Sequence, residues 1–118
     1  MRYRLIISLL LLMVFLSGCN DKEKNREKYN DSIKQVIELE NAKLEDLNEE
    51  NIKRKEIGII VYSNGNLIEL MYHEGNTEIN SIYEKSNDTY SLLPYDIETK
   101  RKIDQAGEAN YIENLGKK

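Results

Sequence analysis

The thiol of Cys19, the only cysteine among 118 residues, has the most clearly defined chemistry in this sequence. Two arginines and an apolar run over residues 5–16, interrupted only by Ser8, precede it, and Ser17 and Gly18 separate the run from the thiol. This order of basic, apolar and small residues is typical of an export signal. The run is too short to cross a bilayer, which takes about 20 apolar residues. The pattern therefore predicts cleavage between Gly18 and Cys19 and transfer of a diacylglyceryl group to the sulfur.

Such a modification predicts a location and an anchor rather than an activity. Two acyl chains on one residue attach a protein stably to a membrane, whereas a single chain binds only marginally. We therefore expect a lipid-anchored protein on the extracytoplasmic face of the cell membrane, with no disulfide bond within the chain. The predicted organisation is a signal peptide over 1–18, the lipidated cysteine and a tether over 19–28, an α+β domain over 29–95, and a C-terminal segment over 96–118 that is a short helix or loosely ordered.

Glu40 is the one polar residue near the centre of the apolar stripe of a predicted helix, and it has two interpretations. A carboxylate that faced a cavity between this helix and a sheet would suit acid–base chemistry or the binding of a small ligand. Alternatively, the stem of the side chain packs while the carboxylate reaches solvent near a sheet edge. The first interpretation predicts an enzyme or a ligand-binding protein, and the second gives Glu40 no function of its own.

The other residue types that carry chemistry form no recognisable site. His73 is the only histidine, and it lies where a hairpin is predicted to end, which is typical of an exposed turn residue. The sequence contains no Cys/His metal set, no calcium-binding loop and no glycine-rich phosphate loop. We therefore expect no metal, no cofactor and no enzymatic activity.

The balance of charge narrows the choice of partner. The chain carries 17 Lys and Arg against 21 Asp and Glu, and the predicted signal removes two arginines and no acidic residue. Binding to nucleic acid needs a basic surface, so it is not expected. The acidic balance also argues against strong adhesion to an anionic membrane face. Two short basic runs, 53–55 and 100–102, would either contact anionic lipid or wall polymer or form solvated charge clusters.

A helix over residues 29–47 is the first element that must position these residues. Apolar side chains at helical spacing form one stripe along it. They are Tyr29, Ile33, Val36, Leu44 and Leu47, with Ile37 beside them. No Gly or Pro interrupts the segment, and a helix that is apolar on one side must pack against another layer.

From residue 57 the period of the apolar residues changes to two, which predicts strands. Asn64-Gly65 is typical of a two-residue hairpin turn, and this loop places Val61 opposite Ile68 and Ile59 opposite Leu70. Two further turns extend the pattern to an antiparallel meander of four strands over 56–63, 66–73, 77–85 and 89–93. A helix followed by this meander predicts an α+β two-layer sandwich. The helix-side face of the sheet, the inner face, also takes Tyr72, Ile79, Ser81, Tyr83, Tyr90 and Leu92.

The same alternation places large apolar side chains on the opposite face of the sheet, which we name the outer face. They are Ile60, Tyr62, Leu67, Met71 and Ile82, together with Leu93. So large an apolar surface is not expected to face solvent freely, so either the C-terminal segment or a protein partner should cover it. Asp96 can cap a short helix over 97–106 that Gly107 ends. Because residues 96–118 lack one clean apolar stripe, the sequence favours a protein partner.

Two segments of the sequence, together with the predicted signal and meander, resemble the cystatin-like fold lipoproteins of Gram-positive bacteria. They are IKQVIELE at 33–40 and NIKRKEIGIIVY at 51–62. The resemblance covers roughly residues 16–95 and implies a lipid anchor and a cystatin-like, cone-shaped α+β fold. That family has no known biochemical function, so the resemblance implies no catalytic residue and is consistent with a binding or scaffolding module.

Protease inhibition is a further alternative that the word cystatin suggests. Cystatin inhibitors present a Gln-x-Val-x-Gly hairpin to papain-like proteases, whereas the first hairpin here reads VYSNG at 61–65. Only the glycine corresponds, and the turn itself explains that glycine. The chain also has no tryptophan, which many inhibitors carry in a second hairpin. Inhibition is therefore less favoured than a binding module or a site built on Glu40.

Overall fold

The computed structural model describes residues 21–116, which form two α-helices and one five-stranded antiparallel sheet. The elements, in chain order, are α1 (Asp21–Asp46), β1 (Gly58–Tyr62), β2 (Leu67–Glu74), β3 (Thr77–Ser86), β4 (Thr89–Leu92), α2 (Ile97–Ala106) and β5 (Tyr111–Glu113). The strands lie in the order β4-β3-β2-β1-β5 across the sheet. The predicted signal peptide and its cleavage site at Gly18 and Cys19 lie outside the described residues.

The first helix begins earlier than the sequence predicted. Residues 21–28 are helical, where a tether was expected, so the helix starts eight residues before Tyr29. This stretch is rich in Lys, Glu and Arg, which are good helix formers, and it contains no Gly or Pro. Charged residues without an apolar stripe can therefore still continue a helix whose later turns are packed.

At its other end α1 stops at Asp46, and Asn48 takes the positive φ that commonly ends a helix. Leu47 lies beyond the last helical turn and is 62% exposed, so its predicted place in the buried stripe is wrong. The remaining stripe residues of the prediction are confirmed as buried: Tyr29, Ile33, Val36 and Leu44.

The register of the sheet agrees with the prediction. Ile59 pairs with Leu70, and the same alternation continues through hairpins centred on residues 75–76 and 87–88. The first connection is wider than the predicted two-residue loop, because residues 63–65 form a 3₁₀ turn. All three of these residues have positive φ, and the side chain of Asn110 accepts a hydrogen bond from the Asn64 N–H at 2.8 Å.

The hydrophobic core lies between α1 and the inner face of the sheet. Ile59 and Leu70 have no exposed surface, as predicted for the centre of this layer. The other fully enclosed apolar side chains are Ile33, Val36, Val61 and Ile68. Leu92 was expected on the same buried face, but it is 43% exposed because β4 is an edge strand.

The C-terminal segment is more ordered than the sequence predicted. The second helix has the predicted bounds, and the Asp96 carboxylate accepts a hydrogen bond from the Thr99 N–H at 3.0 Å as its cap. After Gly107 the chain adds β5, which pairs with β1 and places Ile112 opposite Ile60. The sheet therefore has five strands, not four, and β5 was missed because three residues are too few for an alternating pattern to be recognised.

Candidate functional site

Glu40 lies on the core-facing side of α1 and has no exposed surface. Three hydroxyl groups of the sheet donate hydrogen bonds to its carboxylate. Ser81 Oγ lies 2.6 Å from Oε2, Tyr83 Oη lies 2.7 Å from Oε1, and Tyr72 Oη also donates to Oε2. Lys43, one turn further along the helix, places its Nζ 3.0 Å from Oε1. We name these five residues the Glu40 cluster.

The helical repeat of α1 and the two-residue alternation of the strands bring the cluster together. Glu40 follows Val36 and precedes Leu44 by four residues each, so all three point to the same side of the helix. Tyr72 on β2 and Tyr83 on β3 share the inner face with Ser81, as the strand alternation predicted. The hydroxyl groups therefore meet the carboxylate where the helix crosses β2 and β3.

The cluster keeps Glu40 ionised. Burial alone would raise the pKa of this carboxyl, but the hydrogen bonds from Ser81, Tyr72, Tyr83 and Lys43 together hold its pKa below the ordinary value. Burial and the hydrogen bond to Glu40 raise the pKa of both tyrosine hydroxyls well above their ordinary value. At neutral pH the cluster is therefore a carboxylate that accepts from protonated hydroxyls.

The geometry overturns one of the two interpretations that the sequence gave for Glu40. The carboxylate does not reach solvent, so the expectation of an exposed head group is wrong. Each oxygen accepts two hydrogen bonds, which uses the roughly four lone-pair positions of a carboxylate. A carboxylate with these four polar partners ties α1 to β2 and β3.

A second polar cluster fixes the C-terminal strand. Arg54, in the 3₁₀ turn before β1, donates two hydrogen bonds to Glu113 of β5 at 2.8 and 3.1 Å, and it also donates to Asn30 of α1. The Tyr111 hydroxyl donates to Glu113 at 2.8 Å, and the Asn114 amide donates to the Arg54 carbonyl at 3.0 Å. We name this group the Arg54–Glu113 clamp. Because a bidentate guanidinium–carboxylate pair is strong and directional, the clamp holds β5 beside β1 and next to the helix.

The outer face is only partly covered. Leu67 and Ile82 are 6% and 5% exposed, whereas Ile60, Tyr62 and Met71 are half-buried. The predicted partner surface thus divides into a closed part and a part that solvent reaches.

The C-terminal segment accounts for some of this cover. Lys102 of α2 pairs with Glu84 of β3 at 2.9 Å, next to the strand positions of Leu67 and Ile82. Leu115 lies over Gly58, where an added methyl group would come within 3.2 Å of its Cδ2. Leu115 itself is 46% exposed, and Ile112 is 44% exposed on the same side of the sheet. The segment therefore extends the apolar surface as well as shielding part of it.

Glu40 lines none of three surface cavities, although Tyr72 of the Glu40 cluster lines the first of them. One of about 390 Å³ is bordered by Leu44, Tyr72, Glu74 and His73, which is exposed as predicted. A second of about 470 Å³, the basic cleft, is lined by Arg26, Lys53, Arg54, Lys55, Glu113 and Asn114. The third, of about 350 Å³, is lined by Glu23, Arg26, Glu27 and Asn30.

Within residues 21–116 no set of three or more His, Cys, Asp or Glu side chains is arranged to hold a metal ion. Over the same residues, neither helix combines the length and the apolar character needed to cross a bilayer.

The sequence analysis singled out Glu40 as a candidate, but it did not identify Lys43 as its partner or the pair of Arg54 and Glu113. Lys43 carried a signal, since it stands three residues after Glu40 and so on the same side of a helix. Arg54 and Glu113 lie 59 residues apart in sequence, and no local pattern indicated that they would pair.

A solved structure shares this fold, namely the crystal structure of a DUF4467 family protein from Staphylococcus aureus. The two chains are 19% identical, with a TM-score of 0.58, and the match covers 72% of this chain and 95% of the other. At this identity the likeness shows the fold alone. The neighbour is a domain of unknown function from a Gram-positive bacterium, which agrees with those two parts of the sequence resemblance. No protein-family profile and no curated protein matches this chain.

Proposed function

We propose that this protein is a lipid-anchored, extracytoplasmic binding or scaffolding module without enzymatic activity, of the cystatin-like lipoprotein kind. The observation that carries the proposal is the outer face. Ile60, Tyr62 and Met71 stay half-exposed there, although α2, β5 and Leu115 lie beside them. These apolar side chains surround Glu69, which lies opposite Ile60 and Ile82 and accepts a hydrogen bond from Asn80 at 2.9 Å. Large apolar side chains that are exposed together on one face are typical of an interaction surface.

The Glu40 cluster supports a role without catalysis. A general acid or base must reach a substrate within hydrogen-bond distance. The Glu40 carboxylate is enclosed, and its acceptor positions are occupied by three hydroxyls and Lys43. This cluster stabilises the packing of the helix on the sheet. Binding of a partner is therefore expected at the surface of the domain.

The anchor rests on the segment Leu16-Ser17-Gly18-Cys19 and on where the domain begins. Helix α1 starts at Asp21, two residues after the proposed modification site in sequence, and Tyr29 is its first residue in the hydrophobic core. We expect Cys19→Ser to abolish incorporation of a fatty-acid analogue during metabolic labelling and to release or mis-sort the protein. Ser17→Ala, which keeps a small residue before the cleavage site, should be labelled like the wild type. Equal labelling of wild type and Cys19→Ser would contradict the anchor.

The binding role is tested by placing a charge on the outer face. Met71→Lys should leave the fold intact, because the side chain is only half-buried, yet it should abolish recovery of a protein partner from membranes. The reason is that an ammonium group enclosed in an apolar interface is strongly unfavourable. Lys34→Glu, on the exposed side of α1, is the matched control and should leave recovery unchanged. Normal recovery by folded Met71→Lys protein would count against the outer face as an interface.

A further inference from the structure

We propose that the open part of the outer face binds a protein segment that presents an arginine between apolar side chains, with the guanidinium paired to Glu69. The inference rests on the proposed binding function, because it names the chemistry of the partner that the outer face would take. It starts from a carboxylate in the middle of an apolar surface. Glu69 stands on β2 between Ile60 of β1 and Ile82 of β3, and Met71 occupies the next outward position along β2.

The Glu69 carboxylate is incompletely paired within the protein. Asn80 of β3 donates one hydrogen bond to its Oε2 at 2.9 Å, whereas a carboxylate has about four acceptor positions. Glu69 takes part in none of the ion pairs that the structure describes for residues 21–116. The side chain is half-buried, so solvent reaches it while the face is open. A partner that covered this face with apolar groups alone would leave the charge buried and without a cation, which is strongly unfavourable.

The covered part of the outer face shows how the fold meets the same requirement. Lys102 of α2 donates hydrogen bonds to both oxygens of Glu84, at 2.9 and 3.1 Å. Glu84 lies opposite Leu67 and two residues after Ile82, and both of these apolar side chains are buried. The helix beside them therefore also brings a cation to the neighbouring carboxylate. In the open part, where Glu69 has the equivalent place, we expect the partner to supply that cation.

The charge of the outer face also favours a cationic partner. The titratable residues at the outward positions of β1, β2, β3 and β5 include no Lys or Arg, and they are Tyr62, Glu69, His73, Glu78 and Glu84. Once the pair of Glu84 with Lys102 is set aside, Glu69 and Glu78 leave the open part negative. An apolar surface with this charge is complementary to a partner that is apolar and positive.

The ring of Tyr62 favours arginine over lysine as that cation. Tyr62 is half-buried near Glu69, since burial raises the pKa of its hydroxyl and the charge of Glu69 raises that pKa further. A guanidinium is planar, so it pairs with a carboxylate through two hydrogen bonds and also stacks on an aromatic ring. Apolar side chains on either side of the arginine would then cover Ile60 and Met71.

The test is a cycle that removes the charge of the protein and the charge of a peptide probe in turn. The full chain, in phosphatidylcholine nanodiscs, is titrated with acetyl-Leu-Arg-Leu amide and with the same peptide carrying citrulline, which has nearly the shape of arginine without its charge. Binding is followed by the backbone amide NMR signals of Ile60 and Met71, with Val36 in the core as the internal reference. Glu69→Gln removes the charge of the protein, and Glu78→Gln, at an exposed position of the same face, is the matched control.

We expect the arginine probe to bind the wild type about tenfold more tightly than the citrulline probe, because a charge-assisted hydrogen bond is replaced by a neutral one. This preference should disappear in Glu69→Gln and persist in Glu78→Gln. Equal binding of the two probes to the wild type, or the same preference in Glu69→Gln, would overturn the proposal. No shift at Ile60 and Met71 with the arginine probe at millimolar concentration would overturn it as well.

Two further outcomes separate this inference from the alternatives. Shifts of the same signals with protein concentration alone, before any probe is added, would assign the face to a second copy of this chain and overturn a separate cationic partner. The probe cycle could also fail while Met71→Lys still abolishes recovery of a partner from membranes. That result would overturn the arginine at Glu69 and leave the outer face as an interface, so the two proposals fail separately.

Discussion

At the scale of residues, Glu40 is a buried charge with a complete set of partners. Removing one partner from a buried ion pair typically costs about 3–5 kcal/mol, because the remaining groups stay enclosed and unpaired. We expect Glu40→Gln to lower the free energy of unfolding at pH 7 by about that amount in urea denaturation, since a neutral amide cannot accept from three hydroxyls and Lys43. Glu38→Gln, on the exposed side of α1, should change it by less than about 0.5 kcal/mol. A Glu40→Gln protein as stable as the wild type would contradict the structural role of the cluster.

The same cluster predicts how stability depends on pH. The folded pKa of Glu40 is lowered, so its contribution is complete above the unfolded value of about 4.3 and is lost as pH falls through the folded value. The pKa of Tyr72 and of Tyr83 is raised, so their contribution is complete below about pH 10 and is lost as pH rises further. Urea midpoints should therefore fall below about pH 4.5 and above about pH 10. The acid loss should be smaller in Glu40→Gln, where the lowered pKa of the clamp carboxylate Glu113 still contributes, and an identical acid loss would contradict this assignment.

Sequence reasoning could find Glu40 because a charge stood in an apolar stripe. It could also place Tyr72, Ser81 and Tyr83 on the facing layer, because strand parity fixes which side chains share a face. It could not show that these three hydroxyls, together with Lys43, surround both oxygens of the carboxylate. That result depends on the crossing of α1 over β2 and β3, which no local pattern encodes.

At the scale of elements, those set by local turn and cap residues could be predicted from the sequence, whereas a strand set by long-range pairing could not. The hairpins were predictable because Asn64-Gly65 and the alternation of apolar residues agree on one register. The second helix was predictable from its cap at Asp96 and its stop at Gly107. Strand β5 was not, because its place is set by Arg54 and Glu113 across 59 residues of sequence.

Arg54→Ala tests that explanation of β5. The variant removes the bidentate pair and leaves Glu113 partly enclosed without its main donor, so stability should fall by about 1–3 kcal/mol. Hydrogen exchange of the β5 amides, above all that of Ile112, should accelerate more than that of β2, because the strand loses its attachment while the core remains. Arg101→Ala, an exposed control on α2, should leave both unchanged. Unaltered exchange in β5 of the Arg54→Ala protein would show that pairing with β1 is sufficient by itself.

At the scale of the whole molecule, the two faces of the sheet differ in how far they are covered. The inner face is closed by α1 and by the Glu40 cluster, whereas the outer face keeps Ile60, Tyr62 and Met71 half-exposed beside Ile112 and Leu115. The S. aureus structure with this fold is likewise a domain of unknown function, so the fold alone assigns no activity. Anchoring near α1 and recognition by the outer face together make the binding module that we propose.

The most direct test of this binding module is site-specific photocross-linking of the anchored protein in its own membrane. A photoreactive residue at Met71 on the outer face is compared with one at Lys34 on the exposed side of α1. We predict a discrete cross-linked product from the Met71 position that is absent from the Lys34 position. Identical patterns at the two positions, or no product at Met71 from a folded and anchored protein, would contradict an outer face that binds a partner.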